Sequence, residues 1–317
     1  MTNNNRKEVR ARRGRIVHRI LVVLSAIVRR MPLGAARACG VAIGEVGWLL
    51  RPRERALAMG NLAQAFPDWP KAKRRATTRA MFHHLGRIVF EMLWLPRLDA
   101  AMRDRTTEVV GLEQFRKLME RGRGAIAITA HHGNWEWAAH CVASFGVDLT
   151  ALQRERNEAD INRFITELRA VHGIRTIDRG STAAAREMIQ SLRRGGLLAF
   201  LIDQNIRAES AKVPFFGRPA LTPLGPAKLA IRTETPVVCI FTELRGSKYV
   251  LTFHEPIEVR RDDDPIALTA RITAAIEEQI RRAPEQWVWL HDRWRERPKW
   301  EVTESRNQKA ESRDPGG

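Results

Sequence analysis

The segment Ala125-Ile-Ala-Ile-Thr-Ala-His-His-Gly-Asn-Trp-Glu136 is a short apolar run that ends abruptly in His131, His132, Asn134 and Glu136. A strand that delivers an imidazole and a carboxylate to its end builds a general base with an orienting partner. Spacing alone admits two arrangements. In one continuous helix, His132, Glu136 and His140 would stack at i, i+4 and i+8 and form a metal-binding face. Gly133 and Asn134 oppose that helix, because glycine is poor in helix interiors and asparagine prefers to cap. A helix that starts near Asn134 instead leaves His131 and His132 in a strand-to-helix turn, with Glu136 in the first helical turn. On a regular helix His131 and Glu136 would point about 140° apart, so only the turn lets them meet. The carboxylate would then accept from one imidazole nitrogen and leave the other free to take a proton. The plain alternative is two turn histidines and a glutamate that favours the positive end of the helix dipole.

The elements that must position these residues change character along the chain. Residues 33–104 read as mainly helical: a Gly-bearing apolar stretch from Leu33 to Leu50, then Arg51-Pro-Arg53, then a second helix ending near Phe66-Pro-Asp-Trp-Pro70. Pro70 opens a third helix that continues past His83 and His84 to Trp94. Those adjacent histidines do not share a helix face and read as packing or surface residues. From about residue 105, short apolar runs alternate with longer amphipathic stretches, the pattern of βα units around a sheet. Strands are expected over 125–130, 197–202, 237–242 and 249–253, and helices over 157–171, 182–194, 224–233 and 266–282. The expected fold is α/β, a central mixed β-sheet covered by helices, with a helical membrane-anchoring segment at the amino terminus. Asp203 and Gln204 follow one apolar strand directly, at the carboxyl end where open α/β sheets place ligand groups.

With 317 residues and 44% apolar content, the chain can bury a substantial core. Lys and Arg outnumber Asp and Glu by 54 to 36, a net charge of +18 that calls for a polyanionic partner. Nucleic acid, anionic membrane and an acidic carrier protein all qualify. Cys39, Cys141 and Cys239 are odd in number and form no CxxC pair, which fits a reducing compartment and packing as small hydrophobes. The amino terminus carries Arg6, Lys7, Arg10, Arg12, Arg13, Arg15 and Arg19, then an apolar stretch over 20–28, then Arg29 and Arg30. That stretch falls far short of the roughly 20 apolar residues needed to cross a bilayer and reads as an interfacial anchor with basic flanks. A nucleic-acid arm fits less well, because the run lacks interleaved aromatics. At the other end, Trp287, Trp289, Trp294 and Trp300 stand among Arg293, Arg295 and Arg297, which suits a membrane interface, with Trp287 or Trp289 as core residues the plain alternative. Residues 301–317 have the composition of a disordered tail.

Beyond the His-x4-Glu pattern, several blocks stand in order along residues 35–300. They are Asn61-Leu, Ala65-Phe-Pro67, Leu198-Ala-Phe-Leu-Ile-Asp-Gln204, then Val213-Pro-Phe-Phe-Gly-Arg-Pro-Ala220 followed by Thr222, Gly225 and Ala227 as the loop and helix after that strand, and Pro284-Glu-Gln-Trp-Val-Trp-Leu-His-Asp-Arg-Trp294. Together they resemble the bacterial late-stage lipid A biosynthesis acyltransferases, within the wider glycerolipid acyltransferase group. The resemblance covers an acyltransferase domain over 33–300, with a helical part (33–104) and an α/β catalytic core (105–300), between the amino-terminal anchor over 1–32 and the tail over 301–317.

It further implies transfer of a fatty acyl group from an acyl carrier protein or coenzyme A thioester to a lipid hydroxyl. His131 takes the general-base role and Glu136 the orienting role. His132 is unassigned, Cys141 need not be a nucleophile, and no metal or other cofactor is expected beyond the acyl-ACP or acyl-CoA cosubstrate. The backbone N–H groups of Gly133 and Asn134, or an arginine, are the candidate donors to the oxyanion. Arg154, Arg169 and Arg179 are the candidate ligands of a phosphorylated acceptor, since a guanidinium can bond two oxygens at once. Asp203 and Asn134 complete the substrate-binding set, and Thr222 is a candidate helix cap. The implied partners are an anionic membrane surface, a carrier protein or coenzyme A thioester and a phosphorylated lipid, with no nucleic acid. The implied location is the cytoplasmic face of the inner membrane. Lipid A precursors are the family's usual acceptors; phosphatidylinositol mannosides and lysophospholipids are the alternatives, and a non-catalytic basic binding protein is the more distant one.

Overall fold

The computed structural model describes residues 3–154 and 159–295, with side chains described over 16–153 and 162–295. The expected tail, Trp300 and Arg297 lie outside the described residues. Four long helices come first: α1 (Asn3–Val28), α2 (Leu33–Leu50), α3 (Pro52–Ala65) and α4 (Lys71–Trp94). Pro52 opens α3 at a position where its missing N–H would be unpaired anyway. The remainder alternates: α5 (Ala100–Thr106), β1 (Thr107–Val110), α6 (Leu112–Glu120), β2 (Ala125–Thr129), α7 (Trp135–Ala143), β3 (Leu149–Arg154), α8 (Ala159–Ala170), β4 (Arg175–Arg179), α9 (Ala184–Arg193) and β5 (Leu197–Leu201). A hairpin of β6 (Ser210–Phe215) and β7 (Arg218–Pro223) follows, then α10 (Gly225–Thr233), β8 (Val237–Arg245), β9 (Lys248–Phe253) and α11 (Pro265–Arg282).

Seven strands form one sheet in the order β1-β9-β8-β2-β5-β3-β4, parallel at every pairing except β8 with β9. The sheet is therefore mixed and mostly parallel, with helices on both faces as its short apolar strands require. Period-two alternation divides the core. Ile126 and Ile128 of β2 join Leu198 and Phe200 of β5, Ile272 and Ile276 of α11, and Met81 and Phe82 of α4 on one face. Ala125 and Ala127 turn the other way, toward Trp137 of α7, Phe164 and Leu168 of α8, and Leu93 and Trp94 of α4. Thus α4 contributes its first half to one core and its second half to the other.

Helices α2 and α4 approach so closely that only glycine fits between them. A Cβ on Gly44 would lie 2.3 Å from the Phe82 carbonyl oxygen, and one on Gly86 would lie 2.1 Å from that of Gly40. This contact leaves the outer face of α2 uncovered, with Ile43, Val46, Leu49 and Leu50 exposed. On α1, Ile16, Ile20, Val23 and Ile27 are likewise exposed. By length and composition it is α2, not the shorter apolar part of α1, that could cross a membrane.

Several expectations are corrected. Residues 213–220 form an antiparallel hairpin rather than a loop. Thr222 lies in β7, not at a helix cap, and receives the Arg293 guanidinium at 2.6 Å. Trp287, Trp289 and Arg293 are core residues with at most 1% of their surface exposed, so these three are not an interfacial belt. The local reason is that each polar tip finds an internal acceptor: Trp289 donates to the Pro284 carbonyl, Arg293 to the Leu221 carbonyl and Trp287 to Asp203. Strands β1, β3 and β4 were not anticipated, because Thr107-Glu-Val-Val, Leu149-Thr-Ala-Leu-Gln-Arg and Arg175-Thr-Ile-Asp-Arg carry too few apolar residues to stand out.

Candidate active site

Strand β2 ends at Thr129 and β5 ends at Leu201, and these two residues are partners in the parallel register. Two residues further along each chain stand His131 and Asp203, which the pairing brings side by side although 72 positions separate them. The Asp203 carboxylate accepts the His131 Nδ1–H at 2.9 Å through one oxygen. Its other oxygen accepts the His131 backbone N–H at 2.9 Å and the Trp287 indole N–H at 2.7 Å. Burial alone would raise the Asp203 carboxyl, but the neighbouring His131 charge and these hydrogen bonds outweigh it and hold the group at about 2. A carboxylate that accepts from Nδ1 fixes the tautomer and leaves Nε2 as the basic nitrogen. The His131 Nε2 has no hydrogen-bond partner among the described residues, and its side chain is 25% exposed.

Glu136 is placed differently from the expectation. Asn134 caps α7 by accepting the Trp137 N–H at 3.0 Å, so Glu136 falls in the first turn and is buried against α8. There Arg169 grips it with both arms, Nε at 3.0 Å and Nη2 at 2.5 Å. Burial would raise the Glu136 carboxyl, and the Arg169 guanidinium reverses this and lowers it. Burial would lower the Arg169 guanidinium, and Glu136 correspondingly raises it. The carboxylate hydrogen-bonded to His131 is therefore Asp203 and not Glu136. Arg169 is only 8% exposed, and its guanidinium is engaged by Glu136 and Gln153. Asp203 and Asn134, at 2% and 0% exposure, are likewise held inside.

The turn between β2 and α7 is fastened from His131 to Asn134. Gly133 adopts φ +57, and a Cβ there would sit 1.9 Å from the Thr242 carbonyl oxygen, so no other residue fits. Its N–H donates to the Gln286 carbonyl at 3.0 Å and its carbonyl accepts from His84 Nε2 at 2.9 Å. The Asn134 N–H donates to Thr242 Oγ1 at 3.0 Å. Both backbone N–H groups considered as oxyanion donors are thus already in use. His132 is buried with its ring nitrogens 3.1 Å from the Thr242 and Ala283 carbonyls, and burial lowers its imidazole. Since α7 begins only at Trp135, His132, Glu136 and His140 do not form one helical face. Residues 284–289 lie along the same turn, with Val288 N–H on the His131 carbonyl at 3.2 Å. Burial pushes the Cys141 thiol up to about 12, which leaves it a poor nucleophile at neutral pH.

Arg154 and Arg179 end the adjacent strands β3 and β4 as register partners, on the same carboxyl edge as His131 and Asp203. The Arg154 side chain lies outside those described. Sequence reasoning passed over His84 and Glu91 as contributors to this region. The available signal for Glu91 was a single carboxylate inside the apolar run Ile88-Val-Phe-Glu-Met-Leu-Trp94.

An α/β protein whose parallel strands present a carboxylate-held histidine, with one nitrogen free, at their carboxyl edge has the arrangement that general-base chemistry requires. The chain belongs to the bacterial lipid A biosynthesis acyltransferase family, which it matches over residues 4–296. It is accordingly a transferase, an O-acyltransferase by class. Among its relatives is the lipid A biosynthesis lauroyltransferase of Escherichia coli strain K12, 26% identical over 86% of this chain and 89% of that protein. The lipid A biosynthesis palmitoleoyltransferase of the same strain is 25% identical over 80% of this chain and 83% of its own. The phosphatidylinositol mannoside acyltransferase of Mycolicibacterium smegmatis is 24% identical over 74% of this chain and 77% of its own.

Proposed function

We propose that this protein transfers a fatty acyl chain from an acyl carrier protein or coenzyme A thioester to a hydroxyl of a membrane lipid, and that the acceptor is a lipid A precursor. His131 Nε2 removes the hydroxyl proton as the oxygen attacks the thioester carbonyl carbon. The tetrahedral intermediate collapses with cleavage of the C–S bond, and the departing thiolate takes the proton back from the imidazolium. Asp203 holds the ring and stabilises its charged form, while Glu136 anchors Arg169 and the wall behind the turn. The observation that carries this reading is the 2.9 Å contact of Asp203 with His131 Nδ1, which leaves the opposite nitrogen partnerless among the described residues. The reaction is complete with its two substrates and asks nothing of Cys141.

Arg154 and Arg179, at the ends of strands one and two places beyond β5, support a phosphorylated acceptor lying along the carboxyl edge toward β4. Adjacent strands are about 4.8 Å apart, so the ends of β3 and β4 lie within the span of a headgroup whose hydroxyl is at His131. The apolar faces of α1 and α2, with Arg29, Arg30, Arg51 and Arg53 at their ends, support docking on an anionic bilayer at the cytoplasmic face of the inner membrane. The net charge of +18 also suits an acidic carrier protein as donor, and nucleic acid is not needed to account for it. A second reading, acylation of a phosphatidylinositol mannoside, draws on the relatives of that name. The test is thiol release by the purified protein with an acyl thioester and a lipid acceptor, followed by mass spectrometry of the lipid. Release by His131→Ala equal to that of the parent sinks the general-base assignment, and the mass of the acylated lipid decides between the two acceptors.

A further inference from the structure

Helix α4 buries one carboxylate completely: Glu91 has 0% of its surface exposed. Taking a carboxylate out of water is strongly destabilising unless strong partners surround it. Three donors converge here, each from a different element. Arg37 Nε of α2 reaches one oxygen at 2.6 Å, and the other accepts both Asn134 Nδ2 at 2.8 Å and the Tyr249 hydroxyl of β9 at 2.6 Å. These contacts give the Asn134 amide a single orientation. With Nδ2 on Glu91, Oδ1 faces the Trp137 N–H that it accepts at 3.0 Å. The flipped amide would set its oxygen against a carboxylate and its NH2 against an N–H. Glu91 and His84 lie seven residues apart on one face of α4 and hold adjacent residues of the turn, Asn134 and Gly133.

We infer that Glu91 is a positioning residue for acyl transfer: by fixing Asn134 it sets where the turn presents His131, and hence the reach of Nε2 to the acceptor hydroxyl. The inference rests on His131 being the base. A displacement of about 1 Å at a reacting group is enough to slow a reaction roughly a hundredfold. The test uses the full-length protein with an acyl thioester and a lipid acceptor, comparing Glu91→Gln, Asn134→Ser and the double exchange Glu91→Gln with Asn134→Asp. A glutamine in place of Glu91 accepts through one oxygen only, and the loss should appear as a ten- to hundredfold drop in kcat with KM little changed. A serine in place of Asn134 can still cap α7 and leaves Glu91 paired with Arg37, so Asn134→Ser keeps its fold and should show the same kcat loss. In the double exchange the amide and the carboxylate trade places, the new glutamine donates to the new aspartate, and most of kcat should return. The inference is overturned if either single variant keeps the parent kcat per folded molecule, or if the double exchange restores melting temperature but not kcat. His131→Ala is measured alongside. If it stays active, the general-base reading fails; if it is inactive while the Glu91 and Asn134 variants match the parent, only the positioning role fails.

Discussion

An imidazole serves as a base near neutral pH when one nitrogen is held by an acceptor and the other is open, and Asp203 gives His131 that condition. Asp203 and Glu136 divide into different jobs, and their substitutions should separate by readout. Asp203→Asn keeps the shape but removes the charge and the tautomer preference. Its thiol-release rate should fall by about 10³–10⁴ with little change in melting temperature, comparable to the equivalent change in a Ser-His-Asp triad. Glu136→Gln leaves the Arg169 guanidinium buried without its counter-ion, which should lower stability by about 3–5 kcal/mol. Thermal unfolding and rate measured on both variants check this; an Asp203→Asn protein as fast as the parent would remove Asp203 from the mechanism. The low Asp203 carboxyl also has a pH consequence. Its folded value of about 2 lies below the ordinary 3.8, so it adds stability above pH 4 that is lost as pH falls from about 4 to about 2.

At the scale of elements, the turn depends on α4, whose His84 donates to the Gly133 carbonyl from a fully buried position. Burial pushes the His84 imidazole down to about 3 from its ordinary 6.5. In the unfolded chain the ring takes a proton below pH 6.5, whereas in the folded protein it stays neutral until about pH 3. Stability is therefore highest above pH 6.5 and declines as pH drops through that window, by up to roughly 5 kcal/mol from this group. The melting temperature of the parent should fall faster between about pH 7 and 4 than that of His84→Gln, whose amide can still donate to Gly133. Equal slopes for the two proteins would show that His84 is not the group responsible.

The whole molecule presents apolar side chains from α1 and α2 to the outside, far more than the buried core leaves elsewhere on its long helices. The docking proposal makes this surface a lipid contact, and it can be separated from catalysis. Val46→Asp with Leu49→Asp alters only exposed positions of α2, so folding should be unchanged. Co-sedimentation with anionic vesicles should drop at least tenfold, since each charge placed at the acyl boundary is unfavourable by about 2–3 kcal/mol. Transfer to a short-chain, water-soluble acceptor should persist. Undiminished vesicle binding would move the membrane contact elsewhere.

Local residue chemistry made much of this protein readable from its sequence. The apolar runs specified β2, β5, β8 and β9 within a residue or a few, and the helices α8 to α11 nearly as closely. Gly133 and Asn134 marked the turn and the cap, which kept His131 and His132 out of α7. Those features rest on short-range effects: hydrophobic period, the positive φ open to glycine and the cap formed by asparagine. Partnership was another matter. That His131 meets Asp203 follows from β2 lying beside β5 in a register that pairs Thr129 with Leu201, and no spacing along the chain encodes it. That Glu136 turns to Arg169 follows from α8 packing against α7, and that Trp287 stays inside follows from the closing segment lying along the turn. Propensity and pattern act over a few residues, so the sequence determined which groups could do chemistry and where the chain would bend. Which carboxylate faces which cation is decided by strand order and register across distant segments, and only the tertiary structure sets those.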